Sequence, residues 1–256
     1  MDLKGAHVLI TGGTQGVGEA LVTYFLAQGA EVSYCAPTVS NTEFSEFHNS
    51  LPNTNTARAV GTALDMLDIE AVEDWVMDSV RRVGRLDLVI AKASDMQMDE
   101  ERTDTQIQLP STLAAEILSL RKLIRATAPH LANAPQASIV ILGSFITRKL
   151  SRPPPVSFSL RRATQLQRAH DLIEHLGAKG IRVTAISSGS ILGVYSRRQQ
   201  FSGTLPEREV EERLGELGNV NELVKSVALL LSDPAAWPDA GSHCLVDGDI
   251  QIVTRI

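Results

Sequence analysis

The chain has 256 residues, of which 43% are hydrophobic and 21% charged, and its formal net charge is −6. This size and composition suffice for one large α/β core, and the acidic balance argues against a nucleic-acid-binding protein. A signal peptide and a run of about 18 apolar residues are both missing, which predicts a cytoplasmic protein without a membrane span. Cys35 and Cys244 stand in apolar, strand-like runs and are expected to be reduced core thiols.

Short apolar runs alternate with longer amphipathic stretches, a pattern typical of a parallel sheet covered by helices. Strands are predicted at residues 7–10, 31–35, 57–63, 86–90, 138–142, 181–186 and 243–246, the last of which closes the sheet. Helices are predicted at residues 18–28, 69–83, 112–131, 158–176 and 220–231. Loops are predicted at residues 36–56, 92–111, 145–157 and 190–218. Because loops after the strands form the ligand crevice of an open α/β sheet, function is expected in these four loops.

A glycine-rich turn follows the first predicted strand and opens the first helix, with the sequence Thr11-Gly12-Gly13-Thr14-Gln15-Gly16-Val17-Gly18. In such a turn Gly12 permits a tight bend, Gly16 lets the backbone approach a pyrophosphate, and Gly18 lets the helix pack on the sheet. The free N–H groups and the helix dipole then favour an anion. This context predicts dinucleotide binding, with a retained turn that holds no ligand as the alternative.

The motif Thr-Gly-x-x-x-Gly-x-Gly resembles that of the short-chain dehydrogenase/reductase family, and further family-like pieces follow in order. Asp65 stands where relatives contact adenine, Ser138-Ile139-Val140 leads to Ser144, and Val246-Asp247-Gly248 matches the closing motif. The resemblance extends over essentially the whole chain. It implies that residues 1–256 form a single Rossmann-like domain, with a doubly wound parallel sheet flanked by helices.

The resemblance also implies a nicotinamide dinucleotide and its contact positions. These are Gly12, Thr14, Gln15, Gly16, Val17, Gly18, Thr38, Asp65, Met66, Ala91, Ala93, Gly189 and Ile191. Relatives that prefer NAD end the second strand with an Asp on the ribose, where this chain has Ala36. An Arg for a 2′-phosphate is missing from Gln15 and Pro37, although Thr38 offers a hydroxyl. The expectation is NADP(H) rather than NAD(H), and a chain without bound nucleotide is the alternative.

The family's proton relay of Asn, Ser, Tyr and Lys is altered in this chain. Ser144 is retained, Phe158 replaces the Tyr, Arg162 replaces the Lys, and Glu116 best matches the Asn. Phe has no exchangeable proton, and Arg stays protonated. Because a lost general acid typically costs about 10²–10⁴ in rate, ordinary ketone reduction is not expected. Ser144, Arg162 and Glu116 are therefore the candidate catalytic residues.

Other positions near the expected nicotinamide also depart from the family. Ala91-Lys92-Ala93-Ser94 stands where relatives have Asn-Asn-Ala-Gly, and Ser188-Gly189 replaces a Pro-Gly turn. A basic cluster borders the expected substrate loop and comprises Arg148, Lys149, Arg152, Arg161 and Arg162. It is interpreted either as a clamp for an anionic or enolate-like substrate or as a solvated charge run. The spacing of His, Cys and carboxylate residues does not support a metal site.

Three interpretations of function follow. The first is an atypical enzyme of small-molecule biosynthesis, for which secondary metabolism is one setting, that performs a non-standard reduction or a non-redox cyclisation, isomerisation or dehydration. The second is a non-catalytic pseudo-enzyme that binds a nucleotide or partners an active relative, and the third is a purely structural subunit. Relatives pair through the long helices at about 112–131 and 158–178, so a homodimer or homotetramer is expected.

Overall fold

A computed structural model describes residues 3–37, 41–52, 54, 57–92, 111–144, 172, 175–188, 191–192, 218–232, 242–247 and 249–255. The strands are β1 (His7–Thr11), β2 (Glu31–Ala36), β3 (Ala59–Ala63), β4 (Leu88–Lys92), β5 (Ser138–Ser144), β6 (Arg182–Ser188), β7 (Ile191–Leu192), β8 (Gly218–Asn219), β9 (Ser242–Asp247) and β10 (Asp249–Arg255). The helices are α1 (Gly16–Ala27), α2 (Asn41–Ser50), α3 (Ile69–Val83), α4 (Ser111–Leu131) and α5 (Val220–Ser232).

Eight strands form one sheet in the order β3-β2-β1-β4-β5-β6-β9-β10. Neighbouring strands from β3 to β9 are parallel, and β10 runs antiparallel to β9 at the edge. The chain moves outward from β1 to β3 and then returns to place β4 on the other side of β1. The strand order therefore reverses between β1 and β4, which is where an open α/β sheet binds its ligands. This doubly wound parallel sheet confirms the fold class predicted from the sequence.

Strand residues alternate between two hydrophobic clusters, one on each face of the sheet. Val8 and Ile10 pack with α1 and α5 in one cluster, whereas Leu9 packs with α3 and α4 in the other. Both clusters lie largely out of contact with water. Burial of each large apolar side chain contributes about 1.5–3 kcal/mol, so the two cores hold the strand ends in fixed relative positions.

Helix α3 shows why the amphipathic pattern predicted its bounds, residues 69–83, correctly. The carboxylate of Asp68 accepts a hydrogen bond from the Ala71 N–H at 3.1 Å, which caps the helix at its start. Gly84 follows the helix with φ 85° and donates its N–H to the Val80 carbonyl. Only glycine adopts this left-handed conformation at low cost, so the helix ends there.

Three predictions from the sequence are corrected by the structure. The segment 36–56 contains helix α2 and is not a loop throughout. The segment predicted as a loop at 190–218 contains strand β7 and the first residue of strand β8, and these two short strands pair with each other. The strand predicted at 243–246 does not close the sheet, because β10 adds a further antiparallel strand beyond it. The helix predicted at 158–176 lies almost wholly outside the described residues.

Cys35 and Cys244 are free and buried, as expected from their apolar surroundings. Burial raises the pKa of the Cys35 thiol far above its ordinary value, so the thiol stays protonated. The prediction of two core thiols is confirmed.

Candidate functional site

The glycine-rich turn joins β1 to α1 at the carboxyl edge of the sheet. Gly12 has φ 66° and Gly16 has φ 54°, values that favour glycine. The Gly13 N–H donates to the Cys35 carbonyl at 2.9 Å and ties the turn to the end of β2. A methyl group at Gly18 would overlap the Gly12 carbonyl oxygen and lie 2.8 Å from its carbon. The turn therefore closes onto its own helix, as the sequence motif predicts.

The start of α1 presents donors that the helix itself does not use. Gln15 is the N-cap and makes no side-chain capping hydrogen bond. Its carbonyl accepts from the N–H groups of Gly18 and Glu19, whereas helix geometry provides no such acceptor for the N–H groups just before them. Donors and the positive end of the helix dipole converge on this turn. The geometry suits the pyrophosphate of a dinucleotide.

Lys92 joins β4 to the turn at the point where the strand order reverses. Its backbone N–H donates to the Thr11 hydroxyl at 2.9 Å, and the Thr11 hydroxyl lies 3.3 Å from the Lys92 carbonyl. A methyl group at Gly12 would lie 3.2 Å from Cδ and 3.7 Å from Nζ of Lys92. The ammonium group of Lys92 is therefore held beside the first glycine of the turn.

The predicted adenine side of the crevice lies along the ends of β2 and β3. The Asp65 carboxylate accepts from the Leu67 N–H at 2.9 Å, which orders the chain before α3. The Cys35 Sγ lies 3.6 Å from the Met66 Sδ, so Met66 is held against the end of β2. Ala36 is the last residue of β2, and Leu64 donates its N–H to the Ala36 carbonyl at 2.9 Å. The structure thus brings Asp65 and Met66 to the same edge as Gly12.

The candidate catalytic residues are only partly placed. Ser144 is the last residue of β5, where its Cα pairs in register with that of Ser188 on β6. Glu116 lies within α4. Two of the residues predicted to contact the nucleotide are also placed: Ala91 is buried in β4, and Ile191 lies in β7. The remaining predicted positions lie outside the described residues, namely Phe158, Arg162, Thr38, Ala93 and Gly189.

The structure gives no described tyrosine a place beside Ser144. Tyr34 lies on β2, which β1 and β4 separate from β5, so about 14 Å lie between β2 and β5 at the usual strand spacing. Burial raises the pKa of Tyr34 to about 12, and its hydroxyl lies 2.9 Å from Nδ1 of His48. Tyr24 lies in α1 against Phe25. Neither of these two tyrosines is placed at the end of β5, where Ser144 lies.

A family model described as enoyl-(acyl carrier protein) reductase matches residues 12–248, which include the glycine turn, the strand ends and the closing motif. The chain belongs to the short-chain dehydrogenase/reductase family. Members of this family bind a nicotinamide dinucleotide and act on small molecules, and many are oligomers.

Two relatives within the short-chain dehydrogenase/reductase family match the chain over nearly all of its length. The chain is 46% identical to the isoepoxydon dehydrogenase of Aspergillus clavatus, over 99% of this chain and 98% of that protein. It is 44% identical to the isoepoxydon dehydrogenase of Penicillium expansum, over 99% of this chain and 97% of that protein.

A solved family member with the same fold is the apo short-chain oxidoreductase of Pseudomonas aeruginosa, which is described as containing an atypical catalytic center. It is 25% identical to this chain, covers 100% of both chains and superposes with a TM-score of 0.78. The likeness extends from the first strand to the last.

Neither a membrane span nor a metal cluster is found in the part of the chain that the structure describes. None of the helices in the described residues is long and apolar enough to cross a bilayer. No group of three or more His, Cys, Asp or Glu side chains there is arranged to hold a metal ion. The described part of the site includes backbone N–H donors, the Lys92 ammonium and the Asp65 carboxylate.

Proposed function

We propose that this chain is a nicotinamide-dependent oxidoreductase that acts on isoepoxydon or a closely related small molecule of secondary metabolism. The observation that carries this proposal is the full-length identity of 46% and 44% to two isoepoxydon dehydrogenases. The fold alone would not suffice, since one fold serves many chemistries. The intact glycine turn adds support because it offers the anion site that the cofactor needs.

The nucleotide half of the site rests on positions at the carboxyl edge of the sheet. Backbone N–H groups around Gly16 would hold the pyrophosphate, with Asp65 and Met66 on the adenine side. NADP(H) is favoured over NAD(H), because β2 ends in Ala36 and carries no carboxylate that would repel a 2′-phosphate. Thr38, Ala93, Gly189 and Ile191 complete the proposed set from the family resemblance.

The catalytic half of the site must move a proton without a tyrosine at residue 158. A bound oxidised nicotinamide would supply the hydride acceptor for oxidation of an alcohol to a carbonyl. The proton of the substrate hydroxyl would pass to a carboxylate or to water. We assign the Ser144 hydroxyl to the substrate oxygen and the Arg162 guanidinium to the negative charge that develops there. Glu116 is the proposed proton acceptor. This assignment makes the chain an atypical member of its family, because the family's usual proton relay uses a tyrosine and a lysine.

A non-redox reaction on the same substrate class is the second candidate. Phe158 and Arg162 favour it, because together they remove the family's proton relay and keep a positive charge beside the expected substrate. Arginines of the 148–162 segment would then stabilise an enolate during isomerisation, cyclisation or dehydration. An oxidoreductase with an atypical catalytic center in the same family supports the first candidate over the second.

The first experiment is calorimetric titration of the folded protein with NADPH and NADH. Micromolar affinity for either, with the tighter binding to NADPH, is expected. Incubation with isoepoxydon and the oxidised cofactor should then produce reduced nicotinamide. A folded protein that binds neither dinucleotide contradicts the oxidoreductase assignment. Conversion of the substrate to a product without any reduction of the bound nicotinamide supports the non-redox candidate, whereas binding with no reaction supports the pseudo-enzyme.

The double variant Phe158→Tyr with Arg162→Lys tests the assigned proton relay. Restoring the family pair should raise ketone reduction with NADPH by about 10²–10⁴-fold, the usual contribution of a positioned general acid. Phe158→Leu with Arg162→Lys is the matched control, since it changes the ring without adding a proton donor. Equal rates for the two double variants would show that the pocket is not arranged for hydride transfer to a carbonyl.

A homodimer or homotetramer is part of the proposal. It rests on the family resemblance, since members pair through the helix at about 112–131; Leu118 of α4 is about half exposed (49%) and would be covered in such a pairing. Light scattering should give a multiple of the 27.7 kDa chain mass. A mass equal to one chain would contradict the assignment.

A further inference from the structure

Lys92 occupies the centre of the ligand crevice defined by the strand order. It ends β4, the neighbour of β1 across the point where the order reverses. Its backbone is fixed there by two contacts with the Thr11 hydroxyl, at 2.9 and 3.3 Å. The backbone from which the Lys92 side chain extends is therefore anchored to Thr11, the residue that begins the glycine turn.

The side chain of Lys92 lies over the turn. Its Cδ and Nζ would lie 3.2 and 3.7 Å from a methyl group at Gly12, so the apolar stem crosses the face of Gly12. Gly12 has φ 66° and carries no side chain that would separate the ammonium from the turn. The residue is only partly buried, which leaves room for a ligand to reach it.

The charge of Lys92 matters because of its surroundings. The whole chain carries a net charge of −6, which by itself opposes the approach of an anion. The start of α1 supplies partial positive charge and N–H donors at the same turn. A full positive charge beside these donors would complete an anion site that the backbone only begins.

We propose that the Lys92 ammonium binds the pyrophosphate of the dinucleotide and is a binding residue of this chain's own. The proposal rests on the function proposed above, because it requires a dinucleotide in the crevice. It assigns Lys92 to the anionic centre of the cofactor and not to the adenine, the 2′-phosphate or the substrate. A lysine acts on a phosphate as a point charge, so charge and position at residue 92 should matter more than exact hydrogen-bond geometry.

The test uses three variants of the full chain. Lys92→Met keeps the length and apolar stem but removes the charge, and Lys92→Arg keeps the charge. Lys122→Met is the matched control, because Lys122 lies on α4, away from the turn. Its ammonium forms a partly exposed ion pair with the carboxylate of Glu73 on α3, at 3.6 Å. Dissociation constants for NADPH, NADH, ADP-ribose and adenosine are measured by calorimetry at several salt concentrations. Circular dichroism and thermal melting establish that each variant is folded.

Lys92→Met is expected to weaken NADPH, NADH and ADP-ribose binding by about tenfold or more, the usual effect of losing a hydrogen bond to a charged group. Adenosine binding should not change, and the salt dependence of NADH binding should become shallower. Lys92→Arg should stay within about threefold of the parent protein, and Lys122→Met should equal it.

Three results would overturn the proposal. Unchanged dinucleotide affinity in folded Lys92→Met would show that the ammonium does not touch the ligand. Weakening confined to NADPH would assign Lys92 to the 2′-phosphate. An equal loss for adenosine would show that the side chain only packs the turn. If the parent protein binds neither dinucleotide while folded, both the proposed function and this inference are wrong, a result distinct from the other three.

Discussion

Gly18→Ala is the sharpest test of the glycine turn as a cofactor cradle. The new methyl would overlap the Gly12 carbonyl oxygen and lie 2.8 Å from its carbon and 3.2 Å from the Cα of Gly13. Carbon atoms in contact prefer about 3.5–4.0 Å, so the turn or the helix must move by about 1 Å. The obstructing atoms are backbone, which cannot turn aside as a flexible side chain can.

The expected cost lies at the upper end of the range for overpacking, about 3 kcal/mol in the free energy of unfolding. Because the displaced atoms belong to the turn that would hold the pyrophosphate, NADPH affinity should fall at least tenfold, equivalent to about 1.4 kcal/mol. Urea unfolding measures the first quantity, and calorimetric titration at a temperature well below the unfolding midpoint measures the second.

Two glycines provide matched controls for this variant. Gly177→Ala places its methyl in open space, so stability and affinity should stay within about 0.5 kcal/mol of the parent. Gly84→Ala also meets open space but has φ 85°, so it should cost about 1 kcal/mol through backbone strain and leave NADPH affinity unchanged. If Gly18→Ala behaves like Gly177→Ala in both assays, the close approach of turn and helix is not what shapes the site.

Two further predictions concern stability. The His7 ring accepts a hydrogen bond from the Ser33 hydroxyl and donates one to the Arg85 carbonyl, and burial is the main cause that lowers its pKa below 6.5. Because the unfolded chain takes up this proton first, the free energy of unfolding should fall as pH drops below about 6.5, by at most about 1.4 kcal/mol per pH unit. His7→Gln should remove that part of the pH dependence in urea titrations, whereas His175→Gln at an exposed site should keep it. Asp68→Ala should cost about 1 kcal/mol through loss of the α3 cap, with Asp74→Ala inside the same helix as the control; equal stability of these two variants would show that the cap contributes nothing.

Much of the fold follows from local patterns in the sequence. Helix α3 combines amphipathic spacing with a capping Asp68 and a terminating Gly84, so its bounds are determined within one short segment. Strands β1 and β2 and residues 138–142 of β5 are largely apolar and buried almost throughout, which short-range hydrophobicity identifies. The glycine turn is likewise a local motif, because three glycines at fixed spacing serve one bend.

Helix α2 was not predicted from the sequence, because the contacts that identify it come from tertiary packing. Its sequence is largely polar, and its two aromatic residues, Phe44 and Phe47, face Tyr34 with ring centroids 5.8 and 5.5 Å apart. Nothing within residues 41–50 reveals that Tyr34 lies there to receive them. Strand β10 is similar, since its antiparallel place beside β9 depends on the edge that the rest of the sheet leaves open.

The candidate site also has features that follow from the local sequence and features that depend on tertiary structure. The sequence by itself determined the glycine turn and the presence of Phe at residue 158, from which the anion site and the altered proton relay are predicted, because each depends on residue type at a fixed spacing. Only the tertiary structure decided that Lys92 lies over Gly12, since 80 residues separate them in the chain and the β1–β4 pairing brings them together. A charge acts through space and not along the chain, so its partner became visible only after the strands were placed side by side.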